Sequence, residues 1–456
     1  MILKRIESEG LAHNSYFLSD GAEAIVVDPR RDCLLYAKLA EQECVKIKYI
    51  LETHRNEDYV IGSIELQNMT DADIVHSKEL PFKYGEHRLG DGDTLIVGDL
   101  KIKALWSPGH TNDSICYVVQ NPNESSEPMM VFTGDTLFAG DVGRTDLCGL
   151  DAQQEQAEKL YQSLHEKILP LGDHLQIYPA HGSGSVCGHD ISDREFSTIG
   201  YERRVNPMLK LDKEAFVKRS VAHKMLVPPY FSMMEDYNLN GAPLLCEVPV
   251  PKALSVFEFA KEMKSPNTVV IDAREPGAFA GSFIPHSLNI WLKGLSIFPG
   301  WVLNSGQRIL FVTERKEDMR MVKAYLWRIG YNNIQGYLCP GIQGWRNAGK
   351  PIEHLDTLSA DMLRRKLDGG RMILLDVRQP SEWEEGYIAG AERVYVGHLT
   401  AKMEEFPRNR PIACICSVGN RGSLGASILR KAGFKEAYNV LGGMESWKSL
   451  GYPVEK

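Results

Sequence analysis

Cys416 opens the loop CSVGNRG, residues 416–422. The apolar run before it, PIACI (residues 411–415), reads as a buried parallel strand. The run after it, SLGASILRKAGF (residues 423–434), has helical spacing, with Leu424, Ile428 and Leu429 on one face. A thiol at such a junction meets a ring of backbone N–H groups and the positive end of a helix dipole. Both favour the thiolate, which is the nucleophilic form. Arg421 adds a full positive charge to the same loop. Cys414, on the strand itself, reads as a structural core cysteine.

A second chemistry is written into the first half of the chain. The apolar runs KYILETH, KIKALWSPGH, MMVFTGD and LQIYPAHG end in His54, His110, Asp135 and His181. Strands that deliver imidazoles and carboxylates from their C-terminal ends into one cleft make a metal site. One histidine at a strand end is usually a satisfied side chain. Four such endings in order, within the motifs PGHT, TGD and PAHG, point to a ligand set.

The elements that must position these residues are organised as a repeat. Apolar strands end in Asp-x-Arg at Asp272/Arg274 and again at Asp376/Arg378. The next strand end follows 41 residues later at Thr313 (313 − 272) and 40 residues later at Cys416 (416 − 376). Seventeen residues on, Gly330 and Gly433 end helices, and both copies close with a Gly and a Trp, in GIQGWRNAGKP and GMESWKSLGYP. Alternating strands and helices with short loops imply a parallel α/β sheet, present twice.

These repeats resemble rhodanese domains, which carry a sulfane sulfur on a loop cysteine. The resemblance implies that Cys416 is the nucleophile and Arg421 its catalytic partner. Ser417, Gly419, Asn420 and Gly422 would then cradle the persulfide and bind substrate. In the first copy, FVTERKEDMR puts Thr313 at the cysteine position and Asp318 at that of Arg421. A hydroxyl cannot carry persulfide sulfur, so this copy is expected to be an inactive scaffold.

The first half resembles the metallo-β-lactamase fold, an αββα sandwich whose metal motif is HxHxDH. Here the segment is THRNEDY: His54 and Asp58 remain, while Asn56 and Tyr59 stand at the other histidine positions. Amide and phenol oxygens are weak zinc ligands. What survives is His54, His110 and Asp135, the two-histidine, one-carboxylate set of non-haem Fe(II) oxygenases. The persulfide dioxygenases of this superfamily are similar in this selection, in GDVGRTDL (residues 140–147) and in HGSGSVCG with STIGYE (residues 181–188 and 197–202). The resemblance extends to bacterial fusions of such a dioxygenase with rhodanese domains, over almost the entire chain.

That resemblance implies one Fe(II), with zinc able to occupy the site in purified protein. Asp58 and His181 become second-sphere groups or the remnant of a second metal site, and Tyr59 fills the vacated space. Arg144 is a candidate for the carboxylate of a thiol substrate, with internal pairing to Asp141 or Asp146 as the alternative. Cys187 reads as a sulfur relay or as a small apolar loop residue.

The expected domains are 1–245 (metallo-β-lactamase-like, mononuclear), 246–353 (inactive rhodanese-like) and 354–456 (active rhodanese). The expected activity is oxidation of a low-molecular-weight thiol persulfide by O2 to sulfite, coupled to thiosulfate formation at Cys416. The alternatives are a sulfur-carrier scaffold with a degenerate metal domain and a glyoxalase II-like hydrolase. A net charge of −8 argues against nucleic-acid partners, and no run approaches the roughly 20 apolar residues of a membrane span. Nine scattered cysteines and no signal-peptide pattern fit a reduced, cytoplasmic protein, expected to be a homo-oligomer from the resemblance.

Overall fold

The structure, a computed structural model, describes residues 1–188, 190–222 and 225–456. It divides into two compact units, Met1–Glu247 with Trp327–Gly330, and Val248–Leu326 with Tyr331–Lys456. Among the described residues no helix is long and apolar enough to cross a membrane.

The first unit is built from two six-stranded sheets. Strand alternation decides which residues face which layer. In His13–Asp20 and Glu23–Val27, Tyr16, Leu18, Ile25 and Val27 enter a core shared with Ile102, Ala104, Tyr117, Val119 and Phe132 of the other sheet. Their neighbours Phe17, Ala24 and Val26 face outward and pack with Tyr36, Ala40 and Leu66, on the helices Leu34–Gln42 and Ser63–Thr70. On the far side, Cys116, Val118 and Val131 pack with Leu160 of helix Gln153–Gln162 and with Leu164 and Ile168 beyond it. Helix, sheet, sheet, helix is the resulting order of layers, the expected αββα sandwich.

The second unit holds two five-stranded sheets in which, among the described residues, every strand pairing is parallel. The repeat anchors have matching physical roles. Arg274 pairs with Asp272 and donates to the carbonyls of Ala278 and Ser282; Arg378 pairs with Asp376 and donates to those of Glu382 and Gly386. Each buried Asp-x-Arg thus pins the helix and turn that follow its strand. Trp345 donates to Pro351 at 2.8 Å and Trp447 to Pro453 at 2.9 Å, so both closing tryptophans fasten the end of their own copy.

The two copies meet through the helix Asn420–Lys431, which begins in the Cys416 loop. The Ser423 hydroxyl donates to Asn289 Oδ1 at 2.6 Å, and the Asn289 backbone N–H donates to Ser427 Oγ at 3.0 Å.

Candidate functional site

His54 follows strand Lys46–Leu51, in a segment without regular structure. Its Nδ1 lies 3.0 Å from the Thr53 hydroxyl, which itself donates to Asp28 at 2.7 Å. Thr53 therefore accepts from the ring, and the His54 Nε2 lone pair faces the cleft. The Nδ1 of His110 is paired with the Arg144 carbonyl at 2.9 Å, and a carbonyl can only accept, so its Nε2 is turned inward in the same way. Gly143 allows this approach: a Cβ there would stand 2.0 Å from the Asp135 carbonyl oxygen and 3.0 Å from His110 Nδ1. The glycine of the GRTD segment is thus a packing requirement of the site.

The two Nε2 atoms are buried and have no hydrogen-bond partner among the described residues. Asp135 Oδ2 lies 3.4 Å from His110 Nε2 and 3.9 Å from His54 Nε2. Burial holds the His54 imidazole down at about 3, against partial opposition from Asp135, and lowers His110 likewise. Both rings are therefore neutral, the form that binds a metal. Burial alone would raise the Asp135 carboxyl, but His181, His110 and His54 outweigh it and hold it well below the usual range. Two neutral imidazoles with free lone pairs and one ionised carboxylate fit a divalent metal.

His181 and Asp58 do something else. His181 Nδ1 is 2.8 Å from Asp135 Oδ1 and Nε2 is 3.1 Å from Asp58 Oδ2. Burial lowers the ring's proton affinity, yet the two carboxylates win and raise it well above the ordinary value. The result is an imidazolium bridging two acids and orienting Asp135. Tyr59 packs against His13 with ring centroids 4.0 Å apart and the planes tilted by 32°, and Asn56 turns its amide to the His54 carbonyl at 3.2 Å. Cys187 is buried, which pushes its thiol well up, and it offers a ligand atom within 4.8 Å of those of Asp58 and His181. Arg144 gives its guanidinium to Asp146 at 2.6 and 2.7 Å and to the Val186 carbonyl at 3.0 Å, the internal pairing weighed beside substrate binding.

In the second unit, Cys416 follows strand Ile412–Ile415 and precedes helix Asn420–Lys431. Its Sγ accepts N–H groups from Gly419 at 3.1 Å and Gly422 at 3.4 Å. Gly419, at φ 113°, turns the loop inward, and Gly443 lets the loop close, since a Cβ there would meet the Cys416 carbonyl oxygen at 2.0 Å. Cys414 is enclosed, and burial pushes its thiol far up. Ser417 and Arg421 both bind Glu382, at 2.8 Å and 2.7 Å, so the loop carries a carboxylate that its own sequence does not reveal. In the first copy Thr313 is buried, and Asp318 accepts the Arg315 N–H at 3.0 Å, so that loop folds on itself.

The fold and these two sites define a metallo-β-lactamase-type metalloenzyme carrying tandem rhodanese-like domains. The Metallo-beta-lactamase superfamily model matches residues 9–181, and the Rhodanese-like domain model matches 255–348 and 359–450. "Persulfide dioxygenase ETHE1, mitochondrial" of Bos taurus is 34% identical over 221 residues, 47% of this chain and 77% of that protein. The Homo sapiens protein of the same name is 33% identical over 211 residues, 45% of this chain and 74% of that one. A crystal structure of a metallo-beta-lactamase from Staphylococcus aureus subsp. aureus COL is 28% identical with a TM-score of 0.67, covering 74% of this chain and 98% of that one. The chain belongs to the persulfide dioxygenase family of the metallo-β-lactamase superfamily, fused to two rhodanese-like domains. It is an enzyme of sulfur metabolism with a metal site for iron or zinc.

Proposed function

We propose that the chain oxidises a low-molecular-weight thiol persulfide, such as that of glutathione or coenzyme A, to sulfite, and forms thiosulfate at Cys416 in sulfide detoxification. The observation that carries the first reaction is the pair of hydrogen-bond-free Nε2 atoms of His54 and His110 facing Asp135. These three residues would hold a single Fe(II). When bound, Fe(II) supplies the one-electron chemistry that lets O2 react with a closed-shell persulfide. The balance is RSSH + O2 + H2O giving RSH, sulfite and two protons.

The chain's own residues set the conditions. The Thr53 hydroxyl and the Arg144 carbonyl fix both imidazole tautomers, the His181 imidazolium fixes Asp135, and burial of all four keeps bulk water out. A hydrolase would need a second metal, and His181 has both nitrogens given to carboxylates.

Residues 354–456 are the active rhodanese domain in this reading and residues 246–353 its inactive copy. The Cys416 thiolate attacks the outer sulfur of a persulfide; the S–S bond breaks and the thiolate RS⁻ leaves. Sulfite then attacks the outer sulfur on Cys416, forming thiosulfate and returning the thiolate. The Gly419 and Gly422 N–H groups stabilise the sulfur anion, and Ser417, Asn420 and Arg421 line its approach. Product analysis of Cys416→Ser tests this reading: sulfite should accumulate where the wild type yields thiosulfate. Thiosulfate formed by the variant at the wild-type rate would refute it.

A further inference from the structure

Glu57 occupies the position between Asn56 and Asp58 that the HxHxDH motif leaves unspecified. Its carboxylate is fully buried, and neither oxygen has a hydrogen-bond partner among the described residues. Oε2 stands 3.8 Å from His110 Nε2 and 4.0 Å from His54 Nε2, the same two atoms that Asp135 approaches. Donors about 2.0–2.2 Å from one tetrahedral ion lie about 3.3–3.6 Å from each other, so these separations are longer by a few tenths of an ångström.

Such a carboxylate is costly inside a protein unless a cation meets it. Neither of its hydrogen-bond-free imidazole neighbours can answer it, because each Nε2 carries a lone pair and no proton. One divalent ion satisfies all of these atoms together. Asn56, the residue that replaced a motif histidine, directs its amide to the His54 carbonyl instead.

We propose that Glu57 is a direct ligand of the metal, replacing with its carboxylate the histidine missing at residue 56. The inference rests on the metal reading of His54, His110 and Asp135. It turns a two-histidine, one-carboxylate set into two histidines and two carboxylates. The donors' charge then balances a divalent cation fully, and the set is harder than three imidazoles, which suits iron or manganese better than copper.

The test uses the full chain, stripped of metal and titrated anaerobically with Fe(II) against a chelator. Wild type should bind one ion, and Glu57→Gln should bind at least about tenfold more weakly, the loss that even a supporting group causes. The metal-free Glu57→Gln protein should melt no lower than the wild type, because an amide of the same shape replaces a buried carboxyl that has no partner, while its Fe(II)-induced rise in Tm shrinks. The Co(II) visible spectrum should also differ between the two. If Glu57→Gln does not fold, Glu57→Asp, which withdraws the oxygens by one methylene, should show weakened binding. Affinity within twofold of wild type in a folded Glu57 variant, with binding lost in His110→Ala, would overturn the assignment and leave the metal reading intact. No binding by the wild type would overturn both.

Discussion

The carboxylate of Glu382 lies against the guanidinium of Arg421, with Oε1 2.7 Å from Nη2, and takes the Ser417 hydroxyl at 2.8 Å. The cation of the Cys416 loop is therefore countered from outside the loop. Glu382 also caps the helix Pro380–Glu384, so the strand-end Asp376–Arg378 pair, the capping box and the loop form one connected unit.

Removing that countercharge should strengthen anion binding. In Glu382→Gln, Arg421 keeps a polar neighbour and loses the competing carboxylate. KM for thiosulfate as sulfur donor is expected to fall about fivefold, as for a partly exposed charge pair worth about 1 kcal/mol. Steady-state thiocyanate formation measures it. An unchanged or raised KM would show that Glu382 orients Arg421 without competing for it.

The same pair predicts a pH dependence. Burial pushes the Glu382 carboxyl up, but Arg421, the Gln379 N–H and Ser417 outweigh it and hold it at about 2. Its ordinary unfolded value is about 4.3. The folded value is depressed, so its stabilising contribution is complete above about pH 4.3 and is lost as pH falls toward 2. Denaturant titrations of wild type and Glu382→Gln should differ most near neutrality and converge on acidification. A gap that stays constant from pH 6 to pH 2.5 would contradict the pairing.

The first rhodanese-like copy should support the second. Asn289 accepts from Ser423, donates to Ser427, and donates from Nδ2 to the carbonyls of Asp272 at 3.0 Å and Arg274 at 2.9 Å. Asn289→Ala leaves buried groups unpaired, at a cost of about 1–3 kcal/mol. Because Ser423 lies one turn into the helix that starts at Asn420, sulfurtransferase kcat should fall severalfold while oxygen consumption is unchanged. A stable Asn289→Ala protein with full sulfur transfer would refute this coupling.

Much of this arrangement is legible in the sequence. The four groups His54, His110, Asp135 and His181 each lie within four residues of the C-terminal end of an apolar strand, and they do converge. The repeat anchors are legible because each makes local bonds, Arg378 to residues four and eight positions on. Glu57 was hidden because residues 52–59 are irregular, so no alternation says which side chain turns inward. Glu382 was hidden for a different reason: it reaches Ser417 across 35 residues, and only packing brings them together. Arg144 was ambiguous because a guanidinium serves substrate and internal carboxylate equally well, and the Val186 carbonyl that holds it against Asp146 lies 42 residues away.

Oxygen uptake by the Fe(II)-loaded chain supplied with glutathione persulfide tests the central claim most directly. The expected result is one O2 consumed per persulfide oxidised, retained in Cys416→Ser and abolished in His110→Ala. Uptake by His110→Ala equal to that of the wild type, or none by the iron-loaded wild type, would contradict the account.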